Sequence, residues 1–199
     1  GMVVWAEIPF ISRFINTKEA KEDTVRQMRE LIMQNYNHPS ICFWGISNEI
    51  TMGGESDELV ENQRILQKLC HKLDPSRKTV LANLTTVESQ SEQNKITDLS
   101  AYNVYMGWYA GKVEDCGAWM DSLHKENSDM CMGISEYGAD TNVQYHSDAP
   151  KRQDYTEEYQ SYYHEKMLQA IQERPYLWCS FVWNMFDFAA DKRKEGGTQ

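Results

Sequence analysis

The stretch Asn37-His38-Pro39-Ser40-Ile41-Cys42-Phe43-Trp44-Gly45-Ile46-Ser47-Asn48-Glu49 decides the fold. It opens on a polar turn, runs apolar as a strand over Ile41–Ser47, and stops on an amide and a carboxylate. The same pattern recurs along the chain. Val3–Ile8, Thr79–Leu84, Leu99–Tyr105, Met130–Ser135 and Leu177–Asn184 are further apolar runs of strand length. Near-continuous apolar strands are covered on both faces, which points to a parallel sheet overlaid by helices.

The segments between them supply those helices. Thr17 reads as the N-cap of a helix to about Asn35, with Val25, Met28, Leu31 and Ile32 on one face. Ser56 caps a second, where Leu59, Ile65, Leu66, Leu69 and Leu73 follow the helical period. That helix stops before Asp74-Pro75, because proline restricts the residue ahead of it. The polar segment Glu88–Lys95 holds at most a short helix. A helix around Val113–Glu126 carries Trp119, Met120 and Leu123. A longer one, from about Gln153 to Glu173, turns Tyr155, Tyr159, Tyr162, Tyr163, Met167 and Ala170 inward. Strands alternating with helices define an α/β protein. No repeat, low-complexity linker or domain boundary interrupts it, and the charged tail Asp191–Gln199 reads as a loop or frayed end.

Composition narrows the function classes. Of 199 residues, 41% are apolar and 25% charged, as in ordinary globular proteins. No apolar run reaches the ~20 residues of a membrane span, so no membrane partner is expected. The formal charge of −10 and the scattered Lys and Arg argue against a nucleic-acid surface. Gly1–Phe10 lacks the basic start of a signal peptide, and its leading Gly-Met reads as a cloning scar ahead of internal sequence. The five cysteines show no metal spacing, and three lie in strand-like runs, where cysteine is usually a small buried hydrophobe.

The chemistry lies where apolar strands end. Ile41–Ser47 finishes in Asn48-Glu49, Met130–Ser135 in Glu136-Tyr137-Gly138, the strand from Leu99 in Tyr105, and the last strand in Trp183-Asn184. In a parallel barrel the carboxyl ends of all strands meet at one rim, where active sites lie. Glu49 and Glu136 are therefore expected to face one cavity. Paired carboxylates suit glycosidic cleavage, since one protonates the leaving oxygen while the other attacks the anomeric carbon. A separation of about 5–5.5 Å implies retention through a covalent intermediate.

Four motifs in order bring a resemblance. The stretch from Asn37 to Glu49 resembles the acid/base signature of the glycoside hydrolase family 2 barrel. Ile134-Ser135-Glu136-Tyr137-Gly138-Ala139 is similar to its nucleophile strand, and Tyr102-Asn103-Val104-Tyr105-Met106-Gly107-Trp108-Tyr109 to its catalytic-tyrosine segment. Phe181-Val182-Trp183-Asn184-Met185-Phe186-Asp187-Phe188-Ala189 resembles the closing strand of its β-galactosidase members. The resemblance runs from Val3 over nearly the whole chain. It implies a partial (β/α)8 TIM barrel holding strands 3 to 8, with residues 1–199 as the C-terminal three-quarters of the catalytic barrel.

Carried over by position, Glu49 is the general acid/base and Glu136 the nucleophile. Asn48 hydrogen-bonds the sugar hydroxyl beside the anomeric carbon, Tyr105 orients the nucleophile, and Trp183 walls the sugar ring. His38 is given a structural hydrogen bond, Trp44 a packing role, and Glu7 no catalytic role. No cofactor is implied, and no metal, because Ile8-Pro9-Phe10 after Glu7 lacks the Glu/His pair that supplies ligands in some members. The closing strand favours a β-galactoside substrate. The alternatives are a β-glucuronidase, whose nucleophile strand is similar, and a non-catalytic carbohydrate-binding remnant using Trp183, Trp108 and the tyrosines as platforms. A barrel of ~250 residues exceeds this chain. The expectation is a fragment with little activity of its own. Its exposed strand edges favour homo-oligomers, a state light scattering reads.

Overall fold

The structure is a computed structural model and describes residues 1–186 and Phe188. Asp187 and residues 189–199 lie outside the described residues, and with them the tail read as a loop and part of the closing motif. Among the described residues the strands are β1 (Val4–Glu7), β2 (Ile41–Asn48), β3 (Lys78–Leu84), β4 (Leu99–Asn103), β5 (Met132–Tyr137) and β6 (Ser180–Val182). Their order in the sheet is their order in the chain. β1–β2, β2–β3, β3–β4 and β5–β6 all pair parallel. The helices are α1 (Lys18–Asn35), α2 (Asp57–Leu73), α3 (Cys116–Glu126) and α4 (Glu157–Gln172). Strand–helix alternation with parallel pairing is the α/β, partial (β/α)8 pattern expected from the sequence.

The residues fall into two compact units. The first comprises Gly1–Asn103 with Asn127–Gly133, and the second Val104–Glu126 with the residues from Ile134 onward. In the first unit the two expected caps are in place. Thr17 Oγ1 accepts from Ala20 N–H at 3.2 Å, and Ser56 Oγ from Leu59 N–H at 3.2 Å. Met28 and Ile32 of α1 and Leu59, Leu66 and Cys70 of α2 pack on Trp44, Ile46 and Leu81 of the sheet. Ile65 was expected on that face but is 41% exposed. The other four expected residues, Leu59, Leu66, Leu69 and Leu73, do face the core, and the buried stripe of α2 also takes in the polar Asn62 and Gln63.

A buried charge pair locks the entrance to β2. Asp74, which ends α2, is fully buried and accepts from Trp44 Nε1 at 3.0 Å, from Ser76 N–H and Oγ–H, and from Arg77 Nη1 at 2.6 Å. Burial alone would raise this carboxyl. The hydrogen bonds from Ser76, Arg77 and Trp44 outweigh it and hold it down at about 2. Arg77 then reaches past Asp74 to the carbonyls of Ile41 (2.7 Å), Tyr36 (2.9 Å) and His38 (3.1 Å). The turn before β2 is thus tied to the end of α2 by one guanidinium. Trp44 has the packing role expected. His38 contributes only its backbone, since its exposed ring makes no hydrogen bond among the described residues.

In the second unit, α4 begins later than expected. Asp154 Oδ1 accepts from Thr156 N–H and Oγ1–H, and Thr156 Oγ1 accepts from Tyr159 N–H, so the cap falls at Thr156. Tyr155 lies before the helix at φ 58°. Tyr159, Tyr163 and Met167 form the buried face. β5 runs two residues further than expected because Tyr137 pairs with Val182, and Glu136 therefore sits within the strand. β6 is confined to three residues. The cysteines correct the strand-based expectation, because the buried ones, Cys70 and Cys116, are helical. Cys131 is exposed, immediately before β5 begins.

Candidate active site

Glu49 follows β2 directly, and the backbone around it is over-determined. A register shift between Gly45 and Asn48 marks a bulge in the pairing with β3. Asn48 N–H donates to the Phe10 carbonyl at 3.0 Å, and the Asn48 carbonyl accepts from Ser12 N–H at 3.1 Å. Glu49 N–H donates to the Ala82 carbonyl at 2.9 Å, and Met52 N–H returns to the Glu49 carbonyl at 3.1 Å. Between these ties Glu49 adopts φ 49°, ψ 26°, a left-handed conformation uncommon for a residue with a Cβ. Such residues persist where the surroundings hold them, and they cluster at functional sites.

The side chains at this strand end share one donor. Asn103, the last residue of β4 and 3% exposed, donates through Nδ2 to Asn48 Oδ1 and to Glu49 Oε1, each at 3.0 Å. Behind it lies a buried polar layer. Gln63 and Gln93 exchange amide hydrogen bonds at 2.9 and 2.8 Å, and Gln63 also donates to Ser47 Oγ at 2.9 Å. Asn94 Oδ1 accepts from Asn83 Nδ2 and from the Tyr102 hydroxyl. Satisfied buried networks of this kind fix one arrangement of the chain. Gly45 is required by close approach, since a Cβ there would lie 2.2 Å from Trp5 Nε1 and 2.3 Å from Glu7 Cβ.

The second unit assembles the other glutamate. Val104 N–H donates to the Glu136 carbonyl at 2.7 Å, and the Tyr105 hydroxyl donates to Glu136 Oε2 at 2.7 Å. Both side chains are half-buried. The phenol sets the rotation of the carboxylate and supplies a proton donor to its charged form. Tyr109, itself 49% exposed, packs its ring 5.2 Å from that of Tyr105. Trp183 follows β6, with its N–H on the Tyr137 carbonyl at 2.8 Å and a cis peptide to Asn184. Gly138 allows this, because a Cβ there would lie 2.3 Å from the Trp183 carbonyl oxygen. The indole is 48% exposed and touches Phe188 edge-on.

The residues singled out from the sequence thus form two clusters, Asn48 with Glu49 and Tyr105 with Glu136, and Trp183 is joined to the second through the neighbour of Glu136. Trp108 does not fit its platform role. It is 3% exposed, packed edge-on against Tyr155 and beside Tyr159. Sequence reasoning missed Asn103. Its signal was a buried amide ending a strand, two residues before Tyr105. Among the described residues no group of three or more His, Cys, Asp or Glu side chains is arranged for a metal ion, and no helix is long and apolar enough to cross a membrane.

Residues 4–196 match the family model described as glycosyl hydrolases family 2, TIM barrel domain. A β-glucuronidase of Bacteroides fragilis is 39% identical over 98% of this chain, which spans 29% of that protein. The crystal structure of an FMN-binding β-glucuronidase from Facaelibacterium prausnitzii L2-6 superposes with a TM-score of 0.97 at 54% identity, covering 99% of this chain and 31% of that one. A β-galactosidase of Thermoanaerobacterium thermosulfurigenes is 34% identical over 79 residues, 40% of this chain and 10% of that protein. The crystal structure of a putative β-galactosidase from Bacteroides fragilis also superposes over 98% of this chain and 29% of that one, with a TM-score of 0.89 at 34% identity. The β-glucuronidase likeness therefore stands out by its higher identity and not by its extent. The chain belongs to glycosyl hydrolase family 2, as part of its TIM barrel domain.

Proposed function

We propose that the whole protein carrying this chain is a retaining β-glycoside hydrolase acting on β-glucuronides, with Glu136 as nucleophile and Glu49 as acid/base. The observation that carries the reading is the hydrogen bond from the Tyr105 hydroxyl to Glu136 Oε2. A carboxylate held by a phenol at a strand end is oriented for attack on an anomeric carbon, and such attack is the first step of retention. Glu49 then gives its proton to the leaving oxygen and later takes one from water. Asn48 binds the hydroxyl beside the reacting carbon, and Trp183 offers its exposed face to the sugar ring.

The glucuronide is favoured over the galactoside by the higher identity, 39% and 54%, of the proteins named β-glucuronidase. A galactoside is the second reading, favoured by the likeness, at 34% identity, to proteins named β-galactosidase. The test is hydrolysis of nitrophenyl β-glucuronide and nitrophenyl β-galactoside by the whole protein. The glucuronide should be cleaved at least tenfold faster by kcat/KM, and Glu136→Gln should abolish it. A preference for the galactoside would reverse the substrate assignment, and undiminished activity of Glu136→Gln would remove the nucleophile.

A further inference from the structure

We infer that Asn103 is a positioning residue, a single amide that aligns both the acid/base carboxylate and the hydroxyl-binding amide of Asn48. The inference rests on the acid/base role proposed for Glu49. Its geometry is confined to one strand end. Asn103 Nδ2 has two hydrogens, and two acceptors lie at 3.0 Å from it, Asn48 Oδ1 and Glu49 Oε1. With the Asn103 amide turned over, its oxygen would face a carbonyl oxygen and a carboxylate oxygen, so the network admits only one orientation.

Two consequences follow from which atoms are engaged. With Asn48 Oδ1 held by Asn103, the Asn48 Nδ2 end is directed away from Asn103, as a donor for a sugar hydroxyl. On Glu49, Oε1 already accepts an N–H, so the transferable proton is assigned to Oε2. A glutamate side chain turns about three bonds, and acid catalysis needs its proton aimed at the leaving oxygen. Among the described residues, the bond from Asn103 is the hydrogen bond this carboxylate accepts. The amide is well placed to hold it, because Asn103 ends β4 in register with Leu84 and is almost fully buried.

Loss of a positioned acid has a signature that general destabilisation lacks. Glycosides with an acidic leaving group depart without protonation, whereas alkyl glycosides need it. In the whole protein, Asn103→Leu should lower kcat/KM roughly 10- to 100-fold on a methyl or other alkyl β-glycoside of the preferred sugar. On the dinitrophenyl glycoside the loss should stay below about threefold. The isosteric Asn103→Asp, which cannot supply the N–H, should show the same split and serves if the leucine variant fails to fold. Discrimination against the 2-deoxy glycoside should also shrink in both variants, through Asn48. Equal losses on alkyl and dinitrophenyl substrates, or no loss on either, would overturn the inference. Glu49→Ala run in parallel separates the two claims. If it lacks the leaving-group split, the acid/base reading of Glu49 fails; if it alone shows the split, only the role of Asn103 fails.

Discussion

At the scale of single residues, each of the two units carries a group of polar side chains placed where an apolar strand stops. Asn48, Glu49 and Asn103 form one such group, and Tyr105 with Glu136 another. The Tyr105 hydroxyl bonds the carboxylate without being needed for packing, since its ring keeps its contact with Tyr109. Tyr105→Phe is therefore expected to leave the melting temperature within about 2 °C and to lower kcat by roughly 10- to 1,000-fold, with a smaller change in KM. Steady-state kinetics beside a thermal melt decide it. A matching fall in stability, or an unchanged kcat, would assign the bond a structural role. At this scale the sequence was informative for residues that end apolar runs, Glu49, Glu136 and Tyr105. It was silent on Asn103, because a buried amide bonding the side chains of Asn48 and Glu49 across strands is a tertiary fact. It also misjudged Trp108, where an aromatic residue beside a catalytic segment is indistinguishable from core until its packing partners are known.

At the scale of elements, β2 is held at both ends. Its exit is fixed by backbone bonds from Asn48 and Glu49, and its entrance by Arg77 and Asp74. The Asp74 carboxyl has a folded value of about 2 against an ordinary 3.8. A depressed value stabilises the fold above about pH 4, and the contribution, about 2 kcal/mol, is lost as pH falls from about 4 through about 2. Asp74→Asn should cost about 3 kcal/mol at pH 7, because Arg77 stays largely buried without its anion. Urea denaturation of wild type and variant at pH 7 and pH 3 should show the gap narrowing in acid, and a pH-independent gap would refute the assignment. Caps such as Thr17 and Ser56 were legible because capping is local chemistry. The start of α4 was not, because Asp154 and Thr156 compete for it and the winner depends on which side-chain oxygen reaches Tyr159 N–H. Strand ends shifted for a similar reason, as pairing of Tyr137 with Val182 prolongs β5 beyond the apolar run.

At the scale of the molecule, a parallel sheet in chain order with intervening helices puts the ends of the strands to use as carriers of polar residues. That architecture was readable from the alternation of short apolar runs and amphipathic stretches. Substrate choice is less legible, because proteins of both names, β-glucuronidase and β-galactosidase, match this chain. The closing-strand motif points to galactosides, whereas the relatives of highest identity described above are named β-glucuronidases. The central claim is that Glu136 forms the covalent bond to the sugar. Its most direct measurement is inactivation of the whole protein with the 2-deoxy-2-fluoro glycosyl fluoride of the preferred sugar, followed by peptide mapping. The account predicts one equivalent of sugar on the peptide Ile134-Ser135-Glu136-Tyr137, attached at Glu136. Label on Glu49, or on any other residue, would contradict it.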